Sequence, residues 1–233
     1  MTQRTNARLA GSLFLIYIAV GIWSMVLFGQ ATGGAEGAAA KLARIVEHET
    51  TVRFTVVLTL ITSFCAIGIA VSIWALTRDQ DPDLAMLAMG CRLTEGVIAA
   101  SSAIRTLGLL PVAAAAGAIG PDSATATALG GLLLQQGGLG MPVTATCFAV
   151  GSTIYCALFL RARSIPAWMA WLGLLASALL VVALPLQVAG FLRAPLTSYI
   201  WIPMALFEVV FGVWLIVKGV ALEPARHATP MAA

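Results

Sequence analysis

The sequence predicts an all-α membrane protein: a bundle of six spanning helices, with residues 1–233 forming one integral membrane domain and both termini in the cytoplasm. Three observations predict it. Of 233 residues, 60% are hydrophobic and only 10% charged, whereas a soluble domain is about a quarter charged. Such a chain lacks the polar residues to cover its own surface in water. Six apolar runs, at about 8–28, 52–77, 84–110, 138–160, 166–190 and 199–218, are each bounded by charged or polar residues. A helix needs about 20 such residues to cross a bilayer. Lys and Arg collect in alternate connections, which is the signature of a fixed topology.

The first run follows Arg4 and Arg8 and precedes the small residues around Gln30 to Ala35. That outline resembles a signal peptide. However, Leu9 to Phe28 is longer than the roughly 7–15 residues of a signal core, so the run is read as a retained helix. The next segment, Gly29 to Thr51, is the longest polar one. Within it Glu36 to Glu49 has amphipathic periodicity. Leu42, Ile45, Val46 and Glu49 fall near one face, with Lys41, Arg44, Glu47 and His48 around the rest. This predicts a short helix lying on the outer membrane surface, in preference to a lid over a cavity.

The second run ends at Arg78, and the third is interrupted by charge. After it comes Pro111 to Gly138, rich in Ala, Gly and Thr. Its stretch Ala124 to Leu134 is too short to span alone, and Gly137 to Pro142 should break a helix. An ordinary loop is expected here, with extension of the fourth helix or a re-entrant segment as alternatives. The fourth run ends at Arg161 and Arg163. The fifth carries Gly173 and Ser177, a pair of small residues four apart that lets helices approach closely, and Pro185. The sixth carries Pro203 and ends at Lys218. Trp23, Trp74, Trp168, Trp171, Trp201 and Trp214 sit mostly near helix ends, the interfacial belt pattern.

Arg4, Arg8, Arg78, Arg161, Arg163, Lys218 and Arg226 belong to one side; Lys41, Arg44, Arg53 and Arg193 to the other. The richer side, in short segments beside helix ends, is cytoplasmic by the positive-inside rule. The net charge of +3 is small and spread out, and no Lys/Arg run points to nucleic acid. Membrane lipid is the expected partner, in a bacterial inner or plasma membrane. Cys65, Cys91, Cys147 and Cys156 lie inside apolar runs and lack metal-ligand spacing, and His48 and His227 lie outside them. No metal site, haem or other cofactor is expected. Nucleotide-binding, zinc-protease and serine-hydrolase motifs are missing.

Four charges stand where they are costly. Arg92, Glu95 and Arg105 interrupt the third run and Glu208 the sixth. Each costs about +2.5 to +3.5 kcal/mol at the centre of a spanning helix on insertion scales. Arg92 and Glu95 are three apart and share a helix face. Ser102 and Thr106 continue that face and Arg105 flanks it, so the stripe must face the bundle interior. At 1.5 Å rise per residue, Glu95 and Glu208 reach similar depths near the midplane. A polar core of Arg92, Glu95 and Glu208 is expected, with an outer tier of Arg53, Arg105 and Gln187. Phe207 and Phe211 flank Glu208, either lining a cavity or packing.

Several segments resemble one family. The first helix opens with RLAGSLFLIYIAVGI and the third carries CRLTEGV, an Arg-x-x-Glu-Gly pattern. RSIPAWMAWLG opens the fifth, and PMALFEVVFGVWLIVKG closes the sixth. Together they are similar to the bacterial multi-pass membrane proteins known as domain of unknown function 4386, from Arg8 to Gly219. The resemblance implies six helices and a recurring Arg92, Glu95 and Glu208 set. It implies no activity.

Three functions fit. The first is binding or transport of a small amphipathic or anionic molecule. Arg105 and Arg53 would attract it, Arg92, Gln187, Phe207 and Phe211 would complete the pocket, and Glu95 and Glu208 would bind or exchange a proton. The second is an intramembrane isomerase or terpene-type cyclase acting on an isoprenoid. Glu208 would be its general acid and Glu95 its base or orienter. The third is an accessory membrane protein whose polar cluster only sets helix packing. The first is the leading expectation.

Overall fold

The computed structural model describes residues 2–118, 122–192 and 194–221, so Arg226 and Arg193 lie outside the described residues. Among the described residues seven helices follow in order: α1 Gln3–Thr32, α2 Gly37–Glu47, α3 Glu49–Thr77, α4 Pro82–Ala116, α5 Ser123–Ala162, α6 Ala167–Val188 and α7 Ala194–Val217. All but the short α2 contain a stretch long and apolar enough to cross a membrane, that of α7 being Tyr199–Val217. Local signals set the helix ends. The Thr2 hydroxyl accepts from the Thr5 amide at 3.1 Å. Asp81 caps α4 through the Leu84 amide at 3.1 Å, with Pro82 in the first turn.

Each spanning helix packs on its neighbours in sequence, and α1 closes the ring against α7. The closure relies on glycine. A β-carbon on Gly11 would run into the Gly212 carbonyl, and one on Gly212 would come within 3.3 Å of the Gly11 carbonyl. Gly96 lets α4 approach the Ser63 carbonyl of α3, and Gly173 makes room for the Phe207 ring and Cys156 Sγ. Between apolar helices in lipid, such close packing replaces the hydrophobic drive available in water. Outside the ring, Phe64, Ile104, Leu175 and Val217 are exposed, as a lipid-facing surface requires.

Two ties gather one end of the bundle. Arg161 Nη1 stands 3.8 Å from Asp81 Oδ2, and the Ala221 amide donates to the Ser164 carbonyl at 2.8 Å. The end of α3, the turns into α4 and α6, and the chain leaving α7 therefore lie on the terminal side. At the opposite end α2 docks on α4 and α5. Its apolar face is therefore covered by protein. Leu42 and Ile45 are fully buried in a cluster with Ala31, Val52, Leu109, Leu110 and Ala113. Val46, expected on the same face, is exposed, and Glu49 opens α3. The reason is geometric: Leu42 seats against Gly130 of α5, which has no side chain to hold it off.

The segment 111–138 is not the expected loop. α4 continues through Pro111 to Ala116, and α5 starts at Ser123 and runs unbroken through Gly137 to Pro142. This is the helix-extension alternative. Proline and glycine penalties measured in water overstate the disruption at membrane depth, where an unpaired backbone has no water to turn to. Hydroxyls around the proline also bond back to the helix: Thr144 to the Gly140 carbonyl at 3.1 Å and Thr146 to the Pro142 carbonyl at 2.8 Å.

Candidate functional site

The polar stripe of α4 divides into two places. Its first half, Arg92 and Glu95, faces the sealed centre of the ring. Both are buried, as is Glu208 of α7. Arg92 Nη1 lies 2.8 Å from Glu95 Oε2, off the line of a hydrogen bond. The guanidinium sits on aromatic faces, 4.7 Å from the Phe148 centroid and 5.8 Å from that of Phe14. Such faces attract a cation through the ring quadrupole. Tyr17 of α1 donates to Glu95 Oε1 at 2.9 Å. Gly151 of α5 gives room to the stem of Arg92, since a β-carbon there would stand 3.2 Å from Arg92 Cγ. Arg92 and Glu95 thus pair one turn apart on α4, and Glu208 of α7 is buried as they are. Glu208 Oε1 is buried with no hydrogen-bond partner among the described residues.

Phe207 and Phe211 are core. They stack at 5.1 Å and 14°, and Phe211 also meets Phe14 at 5.7 Å and Phe159 at 5.4 Å. Neither Phe207 and Phe211 nor Arg92, Glu95 and Glu208 line the two clefts at Arg105, and all five are buried.

The second half of the stripe, Ser102, Arg105 and Thr106, lines a cleft of 430 Å³ among α1, α3, α4 and α5, in the half of the bundle that α2 caps. Its other polar groups are Ser24, Thr55, Thr59 and Thr62. Met25, Phe28 and Leu134 give it an apolar wall. A second cleft, of 460 Å³ between α4 and α5, meets it at Arg105. Arg105 Nη1 donates to the Leu133 carbonyl at 3.1 Å. The guanidinium rests against Gly137, where a β-carbon would come within 2.5 Å of Nη1. The glycine run that threatened the helix is thus the seat of this arginine. A guanidinium has five N–H donors; among the described residues this carbonyl is the hydrogen-bond partner found for them, and the residue lines both clefts.

Of the expected outer tier, neither Arg53 nor Gln187 lines the two clefts at Arg105. Arg53 pairs with Glu49 on the exposed side of α3, Nη2 to Oε1 at 2.7 Å. Gln187 stands on α6, which packs on α5 and α7. Depth along a helix placed these residues, but depth says nothing of position around a ring. Conversely, Tyr17, Phe148 and the threonines of α3 escaped the sequence reading. Thr55, Thr59 and Thr62 are spaced four and three apart, a polar stripe of the same kind that exposed α4.

Fold and site together define a multi-pass integral membrane protein with a buried ionic core and an arginine-bearing cleft above it. The chain belongs to the family described as Domain of unknown function (DUF4386), whose model matches residues 9–219. No curated protein and no solved structure matches it.

Proposed function

We propose that the protein binds a small amphipathic anion in the cleft among α1, α3, α4 and α5 and carries it across the membrane. The observation that supports this most is Arg105, half-buried where two clefts meet, with one carbonyl as the partner of its guanidinium among the described residues. Retaining a cation at such a depth is costly, and a bound oxyanion offsets the cost. The cleft volume falls in the range of small-molecule sites, about 300–1,000 Å³. The end that holds it carries Lys41, Arg44 and Arg53, and the terminal end carries Arg4, Arg8, Arg78, Arg161, Arg163 and Lys218. By the positive-inside rule the cleft then opens outward from a plasma membrane, with both termini in the cytoplasm. Arg92, Glu95 and Glu208 form the sealed floor, and the carboxyls there exchange the proton that accompanies the solute. Arg53 and Gln187 take no direct part in holding the anion.

The enzymatic alternative draws on one observation, the unpartnered Glu208 Oε1. A cyclase or isomerase also needs a substrate cavity beside that acid, and its neighbours Phe207 and Phe211 are stacked and fully buried. Binding at Arg105 is the better supported reading.

Extraction in native-lipid particles tests it. Mass spectrometry of wild type should find a specific anion that is absent from Arg105→Gln and present in Arg53→Gln. Equal content in wild type and Arg105→Gln contradicts the proposal.

A further inference from the structure

The hydroxyls of the cleft back-bond to helix carbonyls, as Ser and Thr do throughout this bundle; here they do so around an arginine. Six hydroxyls line the cleft, and each donates its proton to a backbone carbonyl. Thr55 bonds the Val52 carbonyl at 2.7 Å, and Thr59 the Thr55 carbonyl at 2.8 Å. Thr62 bonds the Thr59 carbonyl at 2.8 Å, and Ser102 the Ala99 carbonyl at 2.6 Å. Thr106 bonds the Ser102 carbonyl at 3.0 Å, and Ser24 reaches across to the Thr55 carbonyl at 3.4 Å.

A hydroxyl has one proton and two lone pairs. Once its proton is held by the helix, what remains for a solute is acceptor capacity. The side chains of this cleft therefore present two kinds of group. Arg105 supplies cationic donors, and the six hydroxyl oxygens supply acceptors. These oxygens come from α1, α3 and α4, so they surround the cleft rather than form one strip.

A simple anion satisfies only half of that. A fatty-acid carboxylate would meet Arg105 but would turn acceptors or methylenes toward the hydroxyl oxygens. Acceptor against acceptor gains nothing, and a polar group left unpaired on desolvation is penalised. We infer that the ligand head combines one oxyanion, for Arg105, with several hydroxyl or ammonium donors, for the six hydroxyl oxygens. The chemical class is an amphipathic hydroxy acid or glycosidic acid. The apolar wall of Met25, Phe28 and Leu134 takes its short hydrocarbon part. This assignment rests on the binding reading above and adds the chemistry of the head group.

Three probes of matched chain length separate the two claims. Hexyl β-D-glucuronide carries the oxyanion and the hydroxyls, hexanoate the oxyanion alone, and hexyl β-D-glucoside the hydroxyls alone. Each is titrated by calorimetry against the full-length protein in phosphatidylcholine nanodiscs. The glucuronide should bind wild type roughly tenfold or more tightly than either other probe, about one well-made charged hydrogen bond. Its advantage over the glucoside should vanish in Arg105→Gln. Its advantage over hexanoate should shrink in Thr59→Val/Thr106→Val, which keeps side-chain shape and removes two acceptors. Arg105→Lys, retaining the charge, should recover part of the binding and guards against a folding artefact.

Equal affinity for glucuronide and hexanoate, both dependent on Arg105, overturns the head-group assignment and leaves the anion site standing. Arg105-independent binding of all three probes, or no binding of any, overturns both.

Discussion

Replacing Arg92 by methionine should destabilise the bundle by about 3–5 kcal/mol, because it leaves the Glu95 carboxylate buried without its counter-charge. The guanidinium is fully buried, 2.8 Å from Glu95 and held between the faces of Phe14 and Phe148. Methionine keeps the unbranched stem but not the bulk of the guanidinium, so the single loss mixes charge with packing and the second substitution separates them. Adding Glu95→Gln to Arg92→Met removes the stranded charge, and the double variant should regain a large part of the loss. Thermal unfolding in detergent, read as a double-mutant cycle, measures this directly. Two single variants as stable as wild type would mean that the two groups do not face each other as ions. Tyr17→Phe, which removes the hydrogen bond to Glu95 Oε1, should cost less, about 1–3 kcal/mol.

Gly11→Leu should be the most damaging change on the α1–α7 seam, at about 1–3 kcal/mol or more from overpacking. The obstacle is backbone. A β-carbon at Gly11 would strike the Gly212 carbonyl and lie 2.8 Å from Ile216 Cγ1 and 3.0 Å from Leu215 Cβ. A carbonyl in a helix cannot rotate aside as a side-chain tip can. The two helices must separate, and the ring opens where the first spanning helix meets the last. Gly21, with only the Thr62 methyl at 4.0 Å, is the control on the same helix. Gly21→Ala should leave the melting temperature nearly unchanged. If both substitutions behave alike, α1 does not close on α7 at Gly11.

The spans were legible because lipid imposes one strong rule, a continuous apolar run with polar ends. Arg92, Glu95 and Glu208 were legible because charge at that depth has few physical solutions: pairing, and a turn toward the interior. The course of α5 was not, since the helix-breaking weight of Gly137 to Pro142 came from water. In the bundle, Gly137 accommodates Arg105 and the Thr144 and Thr146 hydroxyls bond to the backbone around Pro142. The docking of α2 was hidden for a different reason. A moment shows that a helix has an apolar face but not whether lipid or protein covers it, and Gly130 of α5 decided for protein.

The cleft was legible only in part. Ser102, Arg105 and Thr106 stood out on α4, but Ser24, Thr55, Thr59 and Thr62 are ordinary hydroxyls in apolar helices. Their convergence depends on α1, α3, α4 and α5 being neighbours around one cleft, which no single helix reveals.

The anion site at Arg105 is tested most directly by protection of a thiol beside it. Ser102→Cys is introduced after Cys65, Cys91, Cys147 and Cys156 are changed to alanine, and a membrane-impermeant thiol reagent is added with and without millimolar hexanoate. The thiol should react, hexanoate should slow the reaction severalfold, and Arg105→Gln should abolish the protection while leaving the reaction itself intact. A thiol that does not react, or protection that persists without the arginine, would contradict an anion site at Arg105.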